Sequence, residues 1–245
     1  MAELEERLSG IPLISSRWTV IAGALMLLAI ALPAAAHFRT AGPVPADTES
    51  GGRAEAMDYL SQIGFGVEYG STAPVLHKWK QDVTIKVHGW PTDADLQTLE
   101  QVVSELNSML VEIDLELVDK AANLEVYFSP QSHFSDILPE YVPTNLGFSQ
   151  VWFDGEGVIQ QGRVLIAADG TTQAERTHLI RAQITQSLGL FKHSWEHSDS
   201  IFYKRGLTTD KYSPLDKATI RLLYQPQLEP GMNLSQVRSL YPPTD

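Results

Sequence analysis

The chain has 245 residues, 43% hydrophobic and 20% charged, long enough to bury a core without covalent staples. It contains no cysteine, which excludes disulfides, thiolate metal ligands, a cysteine nucleophile and lipidation at cysteine. The formal net charge of −12 offers no basic stripe and repels phosphate, so no nucleic-acid partner is expected.

Trp18 to Phe38 (WTVIAGALMLLAIALPAAAHF) carries no Asp, Glu, Lys or Arg. About 20 apolar residues span a bilayer, so this run reads as a membrane segment. Two forms of it fit. Ala34-Ala35-Ala36 after Pro33 resembles a signal-peptide cleavage site. The long, net acidic stretch before the run, MAELEERLSGIPLISSR, suits an uncleaved anchor instead. Either form sends the rest of the chain out of the cytoplasm, secreted or held at the membrane by residues 18–38 on its periplasmic or extracytoplasmic face. The expected organisation is a signal peptide or anchor over 1–37, a Pro/Gly-rich flexible linker over 38–53, and one domain over 54–245.

Within the domain, Glu55 to Ile63 reads as a short helix. Val83, Ile85 and Val87 alternate with polar residues over Asp82–His88, which predicts a strand ended by Gly89-Trp90-Pro91. Thr92 with Asp95 forms a capping box. Leu96, Leu99, Val103, Leu106, Leu110 and Ile113 follow at helical spacing, predicting a long helix that ends near Ile113. Leu115 to Val118 and Leu124 to Phe128 read as strands. Phe148–Phe153 and Val158–Ala167 flank Asp154-Gly155-Glu156-Gly157, a hairpin turn rather than a phosphate loop. Thr171 to Leu188 is a second long helix. Ser213, Pro214 and Asp216 open a third, which ends before Pro226. Strands and helices in this order make an α+β domain.

The second long helix carries the segment RAQITQSLGLFKHSW, Arg181 to Trp195. A zinc-protease helix uses His-Glu-x-x-His, in which two histidines one turn apart share a metal and the glutamate polarises water. In the metzincin branch a glycine three residues later breaks the helix so that the chain can deliver a third ligand. Laid on this chain with Gly189 as that glycine, the first histidine falls on Ala182, the glutamate on Gln183 and the second histidine on Gln186. The third ligand falls on Lys192, with His193 one position late. Alanine cannot ligate, and glutamine is a poor zinc ligand and no general base. The spacing fits and the chemistry does not.

The resemblance extends further. Arg163 to Ala168 (RVLIAA) is like the edge strand lining a zincin cleft, and Tyr212 to Tyr224 is similar to the C-terminal helix of matrixin-type metzincins. A closer resemblance is to an uncharacterised proteobacterial domain-of-unknown-function family, some of whose members are described as lipoproteins or exported proteins. It rests on Arg181, on Gln183 to Leu190, on Ser194-Trp195, on Asp199 to Tyr203, on the Leu215–Tyr224 helix and on Leu228 to Met232. In that family an acidic pair tends to precede the Thr-Gln-Ser-Leu-Gly core, where this chain has Ala182-Gln183. The resemblance implies a zincin-like domain with a mixed sheet and two long helices, and an exported location.

The expected role is therefore a catalytically degenerate binding or scaffolding module for a peptide or envelope protein, with no cofactor. Its cleft would be lined by Ala182, Gln183, Gln186 and His178, the last read as a solvated histidine near the cleft rim. The alternative is a metal-dependent hydrolase with a relocated zinc. His193-Ser194-Trp195-Glu196-His197 spells the inverted zincin motif, making His193, Glu196 and His197 metal candidates. That motif needs a helix, and Gly189 with the serines around it favours a loop. His133 and Ser135 make no legible triad. Trp79, Trp90, Trp152 and Trp195 read as core or cleft-wall aromatics.

Overall fold

The computed structural model of the protein describes residues 50–66 and 73–242, all within one compact unit bounded by Arg39 and Asp245. The expected membrane segment over 18–38 and most of the expected linker lie outside the described residues. Among the described residues no helix is long and apolar enough to cross a membrane.

The elements run in the expected order. Helix α1 is Ser50–Ile63, strand β1 Val83–Gly89, helix α2 Asp93–Asn107, strand β2 Leu115–Leu117 and strand β3 Leu124–Ser129. A 3-10 turn at Gln131–His133 leads into the short helix α3, Phe134–Ile137. Strands β4 (Gly147–Phe153) and β5 (Ile159–Ala167) form the expected hairpin. Helices α4 (Gln173–Gln186), α5 (Pro214–Leu223) and α6 (Leu234–Leu240) complete the chain. The five strands make one mixed sheet in the order β2-β1-β3-β5-β4. Only β4 is antiparallel, and it lies at the edge.

Side chains alternate across a sheet, so each strand sorts its residues between two faces. Val83, Ile85, Leu124, Val126, Phe128, Val164 and Ile166 share one buried core with Leu99, Val102 and Leu106 of α2 and Ile180 and Ile184 of α4. The opposite face carries Lys86, His88, Glu125, Tyr127 and Arg163 in register. Part of it is covered by Phe134 and Leu138, which pack on Leu165 and Ala167 in a second, smaller cluster.

Helix α2 is shorter than its periodicity predicts. The capping box at Thr92 and Asp95 forms as expected. The far end stops at Asn107, whose amide accepts from Leu115 N at 2.8 Å and donates to Leu115 O at 2.9 Å. Those two bonds turn the chain into β2. Leu110 and Ile113 extend the apolar pattern because they are buried in the turn, not because they are helical. Helix α6 escaped the sequence reading, although Asn233 and Gln236 form a capping box there. The tryptophans also divide. Trp79 is fully buried, whereas Trp90 and Trp195 are 67% and 64% exposed, so neither is a core or cleft-wall residue.

Candidate functional site

Helix α4 starts at a capping box, with Thr172 accepting from Glu175 N at 3.3 Å and Glu175 accepting from Thr172 N at 2.7 Å. From His178 to Gln186 every residue is buried, although the helix is polar in composition. Buried polar groups need partners, and those partners describe the site. Arg181 is buried and pairs with Glu105 of α2, with its guanidinium over the Tyr212 ring at 4.5 Å. Its Nε carries no hydrogen bond. Thr185 donates to Arg181 O at 2.7 Å and meets Tyr212 OH at 2.8 Å. Burial pushes the Tyr212 hydroxyl up, so it stays a neutral phenol.

The end of α4 is closed by side chains from elsewhere. Its last carbonyls lack intrahelical partners. Trp79 Nε1 donates to Ser187 O at 2.9 Å, and Tyr224 OH donates to Leu188 O at 2.9 Å. Gly189 follows at φ 114°, and a Cβ there would lie 2.0 Å from His77 O. Only glycine fits this turn.

The turn delivers the next segment back onto the helix. His193 Nε2 lies 3.3 Å from Gln186 Nε2, so the chain after Gly189 returns to the helix position one turn beyond Ala182. His178, read from sequence as a solvated histidine, is instead buried. Its Nδ1 is 3.0 Å from Thr209 O and carries the proton, because the carbonyl can only accept. Burial lowers its pKa, and the nearby His193 and Arg181 lower it further against the Thr209 bond.

His178, Ala182, Gln183 and Gln186 all lie on α4, and none is more than 5% exposed. Edge strand β4 closes over Gln183. A Cβ at Gly147 would lie 2.9 Å from Leu179 Cδ2 and 3.0 Å from Gln183 Cγ, so strand and helix touch where the strand has no side chain.

The segment His193–His197 is not helical. While His193 sits on Gln186, His197 has a left-handed backbone with φ 58° and its ring meets the edge of Tyr59 at 5.1 Å. Glu196 accepts from Gln62 Nε2 at 3.2 Å. Of the three metal candidates, Glu196 and His197 stay close, with Oε2 and Nε2 4.0 Å apart, while His193 sits on Gln186. Among the described residues, no three His, Asp or Glu side chains are grouped to hold a metal ion.

Two networks were not visible in the sequence. One is Tyr59–Ser200–Asp216. Ser200 Oγ donates to Asp216 Oδ1 at 2.6 Å, which leaves its oxygen to accept from Tyr59 OH at 2.7 Å. Burial raises the Asp216 carboxyl, and bonds from Ser200, Ser213 and Ile201 only partly offset it. This network ties α1, the loop after Gly189 and the start of α5. Asp216 was legible only as a helix cap. The other network lies on the outer sheet face, where Glu125 accepts from Tyr127 OH at 3.0 Å and Arg163 Nε at 3.3 Å. Arg163 is far in sequence from Glu125 and Tyr127 and meets them only through the β3–β5 register.

The comparisons with known proteins agree with this picture at the level of family. The family model described as "Protein of unknown function (DUF2927)" matches residues 53–242. The chain belongs to this family. No curated protein matches the DUF2927 chain. Two solved structures of myroilysin are similar to it. One has 14% identity and a TM-score of 0.37, covering 61% of this chain and 82% of that one. The other has 13% identity and a TM-score of 0.41, covering 68% and 92%.

Proposed function

We propose that the chain is an exported or membrane-anchored envelope protein whose zincin-like domain has no catalytic chemistry. Its role is to bind an extended peptide or protein segment along the free edge of β4. The helix positions that would carry hydrolytic chemistry hold Ala182, Gln183 and Gln186, all buried. The Gly189 turn and the return of His193 onto Gln186 support a zincin-like ancestry for this corner.

The observation that carries the binding reading is the strand's hydrogen-bond alternation. Among the described residues β4 pairs only with β5. Ala167 N donates to Leu146 O at 2.9 Å, and the register is constant from Gly147 to Trp152. Antiparallel pairs alternate between bonded and non-bonded. Phe148, Gln150 and Trp152 therefore bond to β5, and Gly147, Ser149 and Val151 present N–H and C=O outward. An uncovered edge of this kind is a template for an added strand.

Proline at an edge strand is tolerated where its missing N–H faces outward. Ser149→Pro in the full chain is expected to keep the fold and lose the peptides that the native chain selects from a random displayed library. Retention of those peptides by S149P, or no peptide selected at all, overturns the edge reading. The metal-hydrolase alternative is tested on the same protein. Zinc retained after dialysis, lost in His193→Ala and His197→Ala, together with peptide cleavage, would replace the non-catalytic reading.

A further inference from the structure

A second site lies on the outer face of the sheet, away from α4. A cavity of about 330 Å³ is lined by Asn123, Glu125, Trp152, Gln161 and Arg163. The strand registers set it. Trp152 of β4 stands opposite Gln161 of β5, and Glu125 of β3 stands opposite Arg163 of β5, so all four project to one face. Gly162 between Gln161 and Arg163 points the other way, and a Cβ there would meet Leu124 Cδ1 at 2.7 Å. That close approach to the core keeps β5 low beneath the cavity.

The polar groups are held in place but not used up. Glu125 spends Oε2 on Tyr127 and Arg163. Its Oε1 is 3.6 Å from His88 Nε2, beyond a hydrogen bond. Arg163 spends Nε on Glu125 and Nη1 on Ile137 O at 3.0 Å. Its Nη2 has no partner among the described residues, and neither does the Gln161 amide. Asn123 is held on both ends of its amide, accepting from Thr84 N and donating to Asp82 O, both at 2.8 Å. It forms a fixed wall. Trp152 is 39% exposed, and Arg163 stacks over its ring at 5.7 Å.

We propose that this cavity binds a neutral saccharide, with Trp152 as the platform for the apolar face of a pyranose ring. Charge decides the class. Glu125 and Arg163 already neutralise each other, so an anion meets Glu125 and a cation meets Arg163, while a neutral ligand meets neither penalty. What remains open is one acceptor at Glu125 Oε1, one donor at Arg163 Nη2 and one exposed amide. Adjacent hydroxyls of a sugar each donate and accept, and they match that set. An indole presents a flat apolar surface with few rotatable bonds, which suits the C–H face of the ring. The volume is at the lower end of small-ligand cavities, where about 300 Å³ is the floor.

The test is tryptophan fluorescence and calorimetry on the full chain with N,N′-diacetylchitobiose and cellobiose, and glucuronate as the anionic probe. Saturable binding of a neutral disaccharide is expected, weakened at least about tenfold in Trp152→Ala and in Gln161→Ala. Glu125→Gln keeps the shape, removes the acceptor charge and lowers affinity as well. Both Trp152 and Gln161 are exposed, so circular dichroism and the unfolding midpoint of these variants should match the native chain. No saturation by either disaccharide overturns the proposal. So does tighter binding of glucuronate, or neutral binding that survives both W152A and Q161A. The S149P variant keeps this site distinct from the strand edge, because Ser149 lies on the opposite face of β4.

Discussion

The two faces of the sheet treat polar residues in opposite ways. On the inner face, α4 buries Arg181, Gln183, Thr185 and Gln186, pairing Arg181 with Glu105, Thr185 with Tyr212 and Gln186 with His193. On the outer face and along β4, polar groups are left with donors and acceptors to spare. A motif on a helix is therefore no guide to an open site. What decides is whether the fold spends the polar groups internally, and here it does so under β4 and not above it.

The difference can be broken hardest at Gly189. Alanine there would combine an unfavourable φ of 114° with a Cβ 2.0 Å from His77 O. Left-handed strain and forced displacement together cost roughly 2–5 kcal/mol. Gly155, in the exposed hairpin turn, has nothing within 4 Å of such a Cβ. Gly155→Ala should stay within about 0.5 kcal/mol of the native chain. Urea unfolding of the two variants measures the contrast directly, and equal costs would mean that the Gly189 turn is not held as described.

Next in size is the buried ion pair. Glu105→Ala leaves the Arg181 guanidinium buried with the Tyr212 ring as its remaining partner, at a cost of about 3 kcal/mol. Arg181→Met removes charge and demand together and should cost clearly less. A double variant no worse than Glu105→Ala alone, measured by denaturant unfolding, would show that the two act as one unit. Paired variants at Arg163 and Glu125 on the outer face should cost under about 1 kcal/mol, because both are partly solvated.

Much of this architecture is legible in sequence, and the limits have physical causes. Strands β1 and β3 announce themselves through alternation, β4 and β5 through the turn between them, and α2 and α5 through capping boxes at Thr92 and Ser213. The helical spacing of Leu110 and Ile113 misleads, because burial in a turn leaves the same apolar trace as burial on a helix. The spacing around Gly189 foretells a helix-ending turn, but it puts Lys192 at the returning position, where the fold sets His193 against Gln186. It does not foretell that Gln183 and His178 would be covered, since β4 closes on the one and Thr209 meets the other, both distant in sequence. The Glu125–Arg163–Trp152 cluster left no local pattern at all. Its members meet only through strand register, which a single sequence does not fix.

A pH titration sharpens the comparison at a smaller scale. His77 is buried beside Phe153 and Phe191, with ring centroids 3.9 and 5.8 Å away, and neither ring nitrogen has a hydrogen-bond partner. Burial lowers its pKa against a smaller opposing contribution from the Gly157 backbone, and burial lowers that of His178 too. In the unfolded chain both titrate near the ordinary value of 6.5. The folded state therefore binds fewer protons just below that pH, so stability rises with pH there. The contribution is complete above about 6.5 and is lost as pH falls through the lowered folded values. Denaturant midpoints should decline from pH 7.5 to 5, and His77→Phe, which keeps the aromatic contacts, should flatten part of that slope. An unchanged slope would mean that His77 is protonated without cost in the fold.

The smallest expected effect is the most informative about the edge. Ser149→Pro removes an N–H that faces away from β5, so its cost in stability should remain under about 1 kcal/mol. Gln150→Pro, one residue along, removes an N–H that bonds to β5 and leaves a carbonyl in the sheet without its donor. Loss of such a bond in a buried setting costs about 1–3 kcal/mol. Both substitutions introduce proline into neighbouring exposed-edge positions, and the difference tested is the side of the strand on which the lost donor lies. Hydrogen exchange on the native chain offers an independent reading, because the Ser149 and Val151 amides should exchange faster than those of Phe148 and Gln150. Equal protection of all four would mean that the outer edge of β4 is already covered, and that this edge is as closed as the helix beneath it.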